Sequence, residues 1–175
     1  MILLVVDAQK GIMDKRLFAF EKVEHNIKLL IETARSSQIE VVFVQHDDGP
    51  GSGFSKGDEA YEIYEQFAPT AYEKVFCKSV NSAFHNSVGL LEYLREKGEK
   101  QVMIVGLQTD FCIDATIKSG FEHGFEMIVP AYANSTFDNR FFSGETAYLY
   151  YNEFMWNKRY ANCVSLDAAV QLLQS

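Results

Sequence analysis

The chain has 175 residues, of which 47% are hydrophobic, and its composition does not change along its length, so residues 1–175 are predicted to form a single domain. Its net charge of −8 disfavours nucleic acid and anionic membranes as partners, because an acidic surface repels phosphate. We therefore expect a small neutral or cationic substrate.

The N-terminal run "MILLVV" is too short to cross a bilayer and meets Asp7 at once, which argues against a membrane anchor or a signal peptide. The three cysteines are an odd number with no C-x-x-C pair, so neither a disulfide framework nor a zinc site is expected. Reduced thiols and a cytoplasmic location are the predictions.

Strands and helices are predicted to alternate along the chain. The strands are short apolar runs without polar alternation, typical of strands buried on both faces. They are 2–6, 41–44, 75–76, 102–105, 127–129 and 163–164. The helices follow from apolar residues at helical spacing, or from a capping serine at Ser165. They are 22–37, 87–97, 110–121 and a last helix after Ser165. This order predicts an α/β, single-domain, doubly wound fold with a mostly parallel six-stranded sheet and helices on both faces.

Ligand sites in such sheets lie beyond the carboxyl ends of the strands. Asp7 follows the first strand, His46 the second and Lys78 the third, and Gln108 to Cys112 follow the fourth. Polar residues follow most strands, so any one of these residues alone could be an ordinary strand-end residue without a function. Together they indicate a site that combines an acid, a lysine and a cysteine.

Cys112 can be interpreted in two ways. If Thr109 caps the helix that follows, Cys112 lies in its first turn, where the helix dipole stabilises a thiolate. Lys78 would lower the thiol pKa further, and Asp7 could carry protons. The alternative is a buried free cysteine that packs as a small hydrophobe. The spacing alone favours neither interpretation of Cys112.

Three motifs carry a resemblance over nearly the whole chain. "VVDAQKGI" at 5–12, "KSVNSAF" at 78–84 and "GLQTDFCIDAT" at 106–116 resemble the isochorismatase-like cysteine hydrolases, the superfamily that includes nicotinamidases and N-carbamoylsarcosine amidases. The resemblance implies a catalytic triad of Asp7, Lys78 and Cys112. It also implies a cis peptide between Leu107 and Gln108 and an oxyanion site formed by the backbone N–H groups of Gln108 and Cys112.

The function implied is hydrolysis of a C–N bond in a small carboxamide or ureido compound, through a thioester and without a cofactor. Isochorismatases proper cleave a vinyl ether without needing the cysteine, so a chain that retains Cys112 looks more like the amide-cleaving branch. Two alternatives remain open, a vinyl-ether hydrolase and a nonenzymatic α/β binding or oligomerisation domain.

The stretch "VQHDDGPGS" departs from the metal-binding pattern of similar nicotinamidases. They carry Asp-x-His followed by further histidines, whereas His46 and Asp48 stand here in swapped order. With Asp47 they give three donors at most, so no metal is expected. His46 is either a hydrogen-bond donor at the pocket wall or a solvated residue at a strand end.

Pocket walls are usually apolar or aromatic, and Ile12, Phe84 and Phe111 lie within the matching motifs. We predict that these three residues and His46 bind substrate.

The remaining interpretations concern loops and surfaces. The glycine-rich loop 47–64 could form a lid, although packing is favoured for its tyrosines, Tyr61 and Tyr64. Cys77 and Cys163 are expected to be packed thiols, and His25, His85 and His123 surface residues. The aromatic stretch "TAYLYYNEFMW" is either core or a subunit contact, and because the family commonly forms dimers or tetramers, a homo-oligomer is expected.

Overall fold

A parallel sheet of seven strands runs through the molecule. The computed structural model describes residues 1–175. Its strands are β1 (Ile2–Val6), β2 (Glu40–His46), β3 (Lys74–Lys78), β4 (Gln101–Leu107), β5 (Glu126–Pro130), β6 (Asn134–Ser135) and β7 (Asn162–Val164). They lie in the order β3-β2-β1-β4-β5-β7, β6 pairs with the end of β4, and every pairing is parallel.

Five α-helices cover this sheet on both faces. They are α1 (Phe20–Ser36), α2 (Leu90–Glu96), α3 (Asp114–Glu122), α4 (Gly144–Leu149) and α5 (Leu166–Gln174). One apolar cluster joins α1 and α5 to one face of the sheet, and a second joins α2 and α3 to the other. The predicted doubly wound α/β fold is therefore confirmed.

The predicted sheet was one strand short. All six predicted strands are present, and the seventh, β6, consists of two polar residues that no apolar run could have revealed. The helix α2 begins three residues later than predicted, because Gly89 takes a positive φ of 81° at its N-cap. None of the helices combines the length and the apolar character that crossing a membrane requires.

The aromatic stretch near the C-terminus divides into buried and exposed residues. It forms α4 and a π-helical turn at Tyr150–Met155. The Tyr148 ring is buried, and its hydroxyl accepts a hydrogen bond from the backbone N–H of Tyr132. Tyr150 and Phe154 are exposed. Homo-oligomerisation through this surface stays a prediction.

Candidate active site

Three strand ends bring an acid, an ammonium and a thiol together. Asp7 directly follows β1, Lys78 is the last residue of β3, and Cys112 lies in the turn after β4. Lys78 Nζ donates to Asp7 Oδ2 at 2.7 Å and to Cys112 Sγ at 3.3 Å. The three predicted triad residues are therefore in contact at the carboxyl edge of the sheet, where α/β folds place their ligands.

Two backbone features hold these strand ends close together. Asp7 has a φ of 50°, in the left-handed region that side-chain-bearing residues seldom adopt. Its N–H donates to the Val44 carbonyl at 2.8 Å. Beside it, Gly106 has a φ of 123°, and a Cβ there would lie 1.9 Å from the carbonyl oxygen of Val6. Only glycine lets β4 run this close to the end of β1.

Cys112 lies in a π-helical turn, Thr109–Ile113, that leads directly into α3. Thr109 does not cap this segment, as one interpretation of Cys112 required: its hydroxyl donates to Asn134 Oδ1 at 2.7 Å, and Gln108 takes the N-cap position. The peptide bond between Leu107 and Gln108 is cis. The backbone N–H of Gln108 has no hydrogen-bond acceptor within the protein.

The Lys78 ammonium has an acceptor for each of its three protons. The third acceptor is His46 Nδ1, at 3.0 Å from Nζ. Since an ammonium can only donate, Nδ1 of His46 must carry the lone pair and the ring proton must sit on Nε2. That Nε2 lies 3.0 Å from Asp48 Oδ1 and donates to it. A continuous hydrogen-bonded chain therefore runs from Asp48 through His46 to Lys78.

Burial governs the protonation of the acid and the thiol. It raises the pKa of Asp7 above its ordinary value, although the Lys78 ammonium opposes this. Burial and the negative charge of Asp7 raise the pKa of Cys112 to about 12. The Lys78 ammonium lowers the pKa of this thiol, as expected, but desolvation and the Asp7 charge outweigh it, so the net shift is upward. Cys112 rests as a thiol and needs a base.

Asp7 is placed to be that base. A carboxylate oxygen of Asp7 and the sulfur of Cys112 lie within 4.8 Å of each other. The second oxygen, Oδ1, is buried and has no hydrogen-bond partner. A buried acceptor without a partner is costly, and a hydrogen bond donated to it by a bound substrate group would satisfy it.

A cavity of about 230 Å³ opens above the thiol. Its apolar walls are Ile12, Phe54 and Phe111, and its polar lining includes His46, Asp48 and Asn81. Three of the four predicted substrate contacts thus border the cavity: Ile12, His46 and Phe111. His46 is no solvated residue, since both of its ring nitrogens are engaged.

Phe84 does not border this cavity, and that prediction is corrected. Its side chain is 1% exposed and stacks on Phe125 with ring centroids 5.1 Å apart. It belongs to the core beneath α3. Two lining residues were missed, Phe54 and Asn81, whose Oδ1 lies 3.9 Å from Cys112 Sγ. Asn81 lies within the second motif, which was the one signal that could have revealed it.

The loop after β2 supports the sheet edge. Tyr61 is buried, and its carbonyl accepts hydrogen bonds from the amides of Gln9 and Gln45. Tyr64 donates to Glu24, so the packing interpretation of both tyrosines is confirmed. Of this loop, Asp48 and Phe54 border the cavity.

Among the other cysteines and histidines, the predicted exposure is wrong for one residue, Cys77. Cys77 is exposed, contrary to prediction, because β3 is an edge strand, whereas Cys163 is partly buried. His25, His85 and His123 are surface residues, as predicted.

The donor atoms at the site do not fit a metal ion. Asp7, His46 and Cys112 offer ligand atoms within 4.8 Å of one another. However, the Lys78 ammonium lies 2.7 to 3.3 Å from all three and takes the position between them that a cation would need. Asp47 turns away and accepts a hydrogen bond from the backbone of Gly49. His46 and Asp48 alone are too few to hold a metal.

Comparisons of the sequence with a family model and with known proteins point to the same family. A family model for the isochorismatase domain matches residues 1–153. The isochorismatase family protein YrdC of Bacillus subtilis (strain 168) is 32% identical over 79% of this chain and 75% of its own. The ureidoacrylate amidohydrolase RutB of Caulobacter segnis is 29% identical over 57% of this chain and 54% of its own.

The fold also recurs in solved structures. A cysteine hydrolase from Pseudomonas syringae pv. phaseolicola 1448A superimposes with a TM-score of 0.90 at 20% identity, and the alignment covers 99% of this chain and 92% of the other. The doubly wound sheet, the site at its carboxyl edge and these relatives define a hydrolase. The protein belongs to the isochorismatase family.

Proposed function

We propose that the protein is a cysteine hydrolase that cleaves the C–N bond of a small carboxamide or ureido compound through a thioester. The observation that carries this proposal is the contact of one buried ammonium with both a carboxylate and a thiol beneath a small cavity. Cys112 is the proposed nucleophile, Asp7 the proton carrier and Lys78 the charge partner.

The first step is a proton transfer within the site. The Cys112 thiol gives its proton to Asp7, whose raised pKa makes it a stronger base than an ordinary carboxylate. The thiolate formed lies against the Lys78 ammonium, which balances its charge. The net charge of the group is unchanged, so no ion has to enter or leave the buried site.

The thiolate then attacks the carbonyl carbon of the substrate. A C–S bond forms, and the carbonyl oxygen becomes an oxyanion that accepts hydrogen bonds from the backbone N–H groups of Gln108 and Cys112. The free N–H of Gln108 supports this assignment. A donor of this kind lowers the barrier by about 3 kcal/mol in comparable acyl-transfer sites.

Collapse of the oxyanion breaks the C–N bond. Asp7 gives the proton it received to the departing nitrogen, which leaves as ammonia or an amine, and Cys112 is left as a thioester. Asp7, again a carboxylate, takes a proton from water as the water attacks the thioester. The acid is released, and Asp7 returns the proton to the Cys112 sulfur.

A panel of small carboxamides, ureido compounds and vinyl ethers separates this proposal from its alternatives. We expect ammonia or amine release from at least one C–N substrate, and loss of that release in Cys112→Ser. Pyruvate-type products from vinyl ethers in both proteins would indicate the isochorismatase reaction instead. If none of the C–N compounds is turned over, the result contradicts the proposed reaction.

A further inference from the structure

We infer that the cavity selects its substrate by charge: the part of the substrate remote from the scissile carbonyl is cationic or neutral, and carboxylates are rejected. This inference deepens the proposed function and rests on it. It is carried by the charges that border the cavity.

The cavity offers no cationic side chain to a carboxylate ion. Its lining includes two acids, Asp7 and Asp48, and neither a lysine nor an arginine. Lys78 lies beneath the cavity, but its side chain is 0% exposed and its three protons are donated to Asp7, His46 and Cys112. An ammonium with no proton left to donate cannot also hold a substrate anion.

The charge of the site stays negative throughout the reaction. Asp7 and Asp48 each carry one negative charge, Lys78 carries one positive charge, and His46 is neutral because its Nδ1 accepts from Lys78. The sum is one negative charge. Transfer of the thiol proton to Asp7 leaves this sum unchanged, and the chain as a whole carries −8, so its field has the same sign.

The mouth of the cavity suits a cation. Asp48 uses Oδ1 to accept from His46, whereas Oδ2 has no hydrogen-bond partner in the protein. The rings of Phe54 and Phe111 border the same opening, and aromatic faces attract ammonium and guanidinium groups. Since the Asp48 side chain is 56% exposed, solvent screens its charge. We expect roughly two- to fivefold selectivity for each unit of substrate charge.

The first test measures the charge preference at Cys112 without any hydrolysis. Three methanethiosulfonates of similar reach are used, with a trimethylammonioethyl, an ethyl or a sulfonatoethyl group. Modification of Cys112 is followed by peptide mass spectrometry, and each rate is divided by the rate of the same reagent with a free small thiol. We expect the cationic reagent to be fastest and the anionic reagent slowest.

Asp48→Asn is the matched variant, because its Oδ1 can still accept from His46 while the charge is removed. The ratio of cationic to anionic rates should fall about two- to fivefold in this variant, and raised salt should lower it in the wild type. A normalised ratio of one, or faster reaction of the anionic reagent, would overturn the inference. So would a ratio that Asp48→Asn leaves unchanged.

The second test uses substrates of one length and three charges: 4-aminobutanamide, butanamide and succinamate. The expected order of kcat/KM is cation, neutral, anion, and preferred hydrolysis of succinamate would contradict the inference. If none of the three is hydrolysed, the result counts against the proposed function, and the thiol-modification ratios decide the charge selectivity independently.

Discussion

Two thiols in this protein, Cys112 and Cys163, both border a cavity and both have a raised pKa, but they differ in their neighbours. Each borders a cavity of about 230 Å³, and burial raises the pKa of each to about 12. Cys112 is in contact with a buried ammonium and close to a carboxylate, whereas burial is the one cause acting on Cys163. Burial thus disfavours the thiolate form of both cysteines, and the proton acceptor and the ammonium beside Cys112 make it the candidate nucleophile.

The largest effect is expected from exchanging each sulfur for oxygen. Cys112→Ser should lower kcat for the best amide by about 10⁴-fold or more, because serine cannot give its proton to Asp7 as readily. Cys163→Ser is the matched control and should keep wild-type kinetics. Steady-state ammonia release measures both, and comparable losses in the two variants would remove the distinction between the thiols.

Asp7→Asn tests the proton carrier. Turnover should fall by about 10²- to 10⁴-fold, since general acid and base catalysis are both lost. The pKa of Cys112 should fall at the same time, because the negative charge of Asp7 helps to raise it while Lys78 lowers it. Thiolate absorbance in the ultraviolet, followed against pH, measures this shift.

Lys78→Met should shift the pKa of Cys112 in the opposite direction. Without the ammonium the pKa of Cys112 should rise, and the buried Asp7 charge left without its partner should cost about 3–5 kcal/mol of stability, measured by urea unfolding. Cys163 should titrate unchanged in both variants. A thiol pKa at Cys112 that moves the same way in both would contradict the charge arrangement.

His46 is expected to act through Lys78. His46→Leu leaves one ammonium proton without an acceptor and should lower kcat about tenfold. His46→Asn keeps an acceptor near the position of Nδ1 and should recover most of that loss. If KM rises instead while kcat is unchanged, His46 contacts the substrate, as the sequence had suggested.

The smallest effect is expected from metal removal. Dialysis against a chelator should leave kcat and KM unchanged, because the Lys78 ammonium occupies the place between the three possible ligands. Loss of activity that added zinc restores would show this assignment to be wrong.

The residues that could be predicted from the sequence are those whose position follows from periodicity. Apolar runs revealed six strands, and parallel strands place Asp7, Lys78 and Cys112 at one edge. The contacts of Asn81 and Phe54 with the cavity depend on loop conformation, which no periodicity encodes. Phe84 was misplaced because an aromatic residue within a motif serves the core as readily as a pocket wall.

The charge balance at Cys112 could not be predicted either. The direction of the pKa shift at Cys112 depends on how deeply the thiol is buried and on whether Lys78 or Asp7 dominates. Both depend on spatial distances between residues that are far apart in the sequence. The sequence indicated the three partners, but not that burial outweighs the ammonium.

The most direct test of the central claim is to trap the acyl-enzyme. An active amide is mixed with the protein, the reaction is quenched in acid during turnover, and the intact mass and peptide map are measured by mass spectrometry. We predict an added acyl group on Cys112 alone, absent from Cys112→Ser and unaffected by Cys163→Ser. Acid product formed by Cys112→Ser at the wild-type rate, with no adduct on Cys112 in the wild type, would contradict the account.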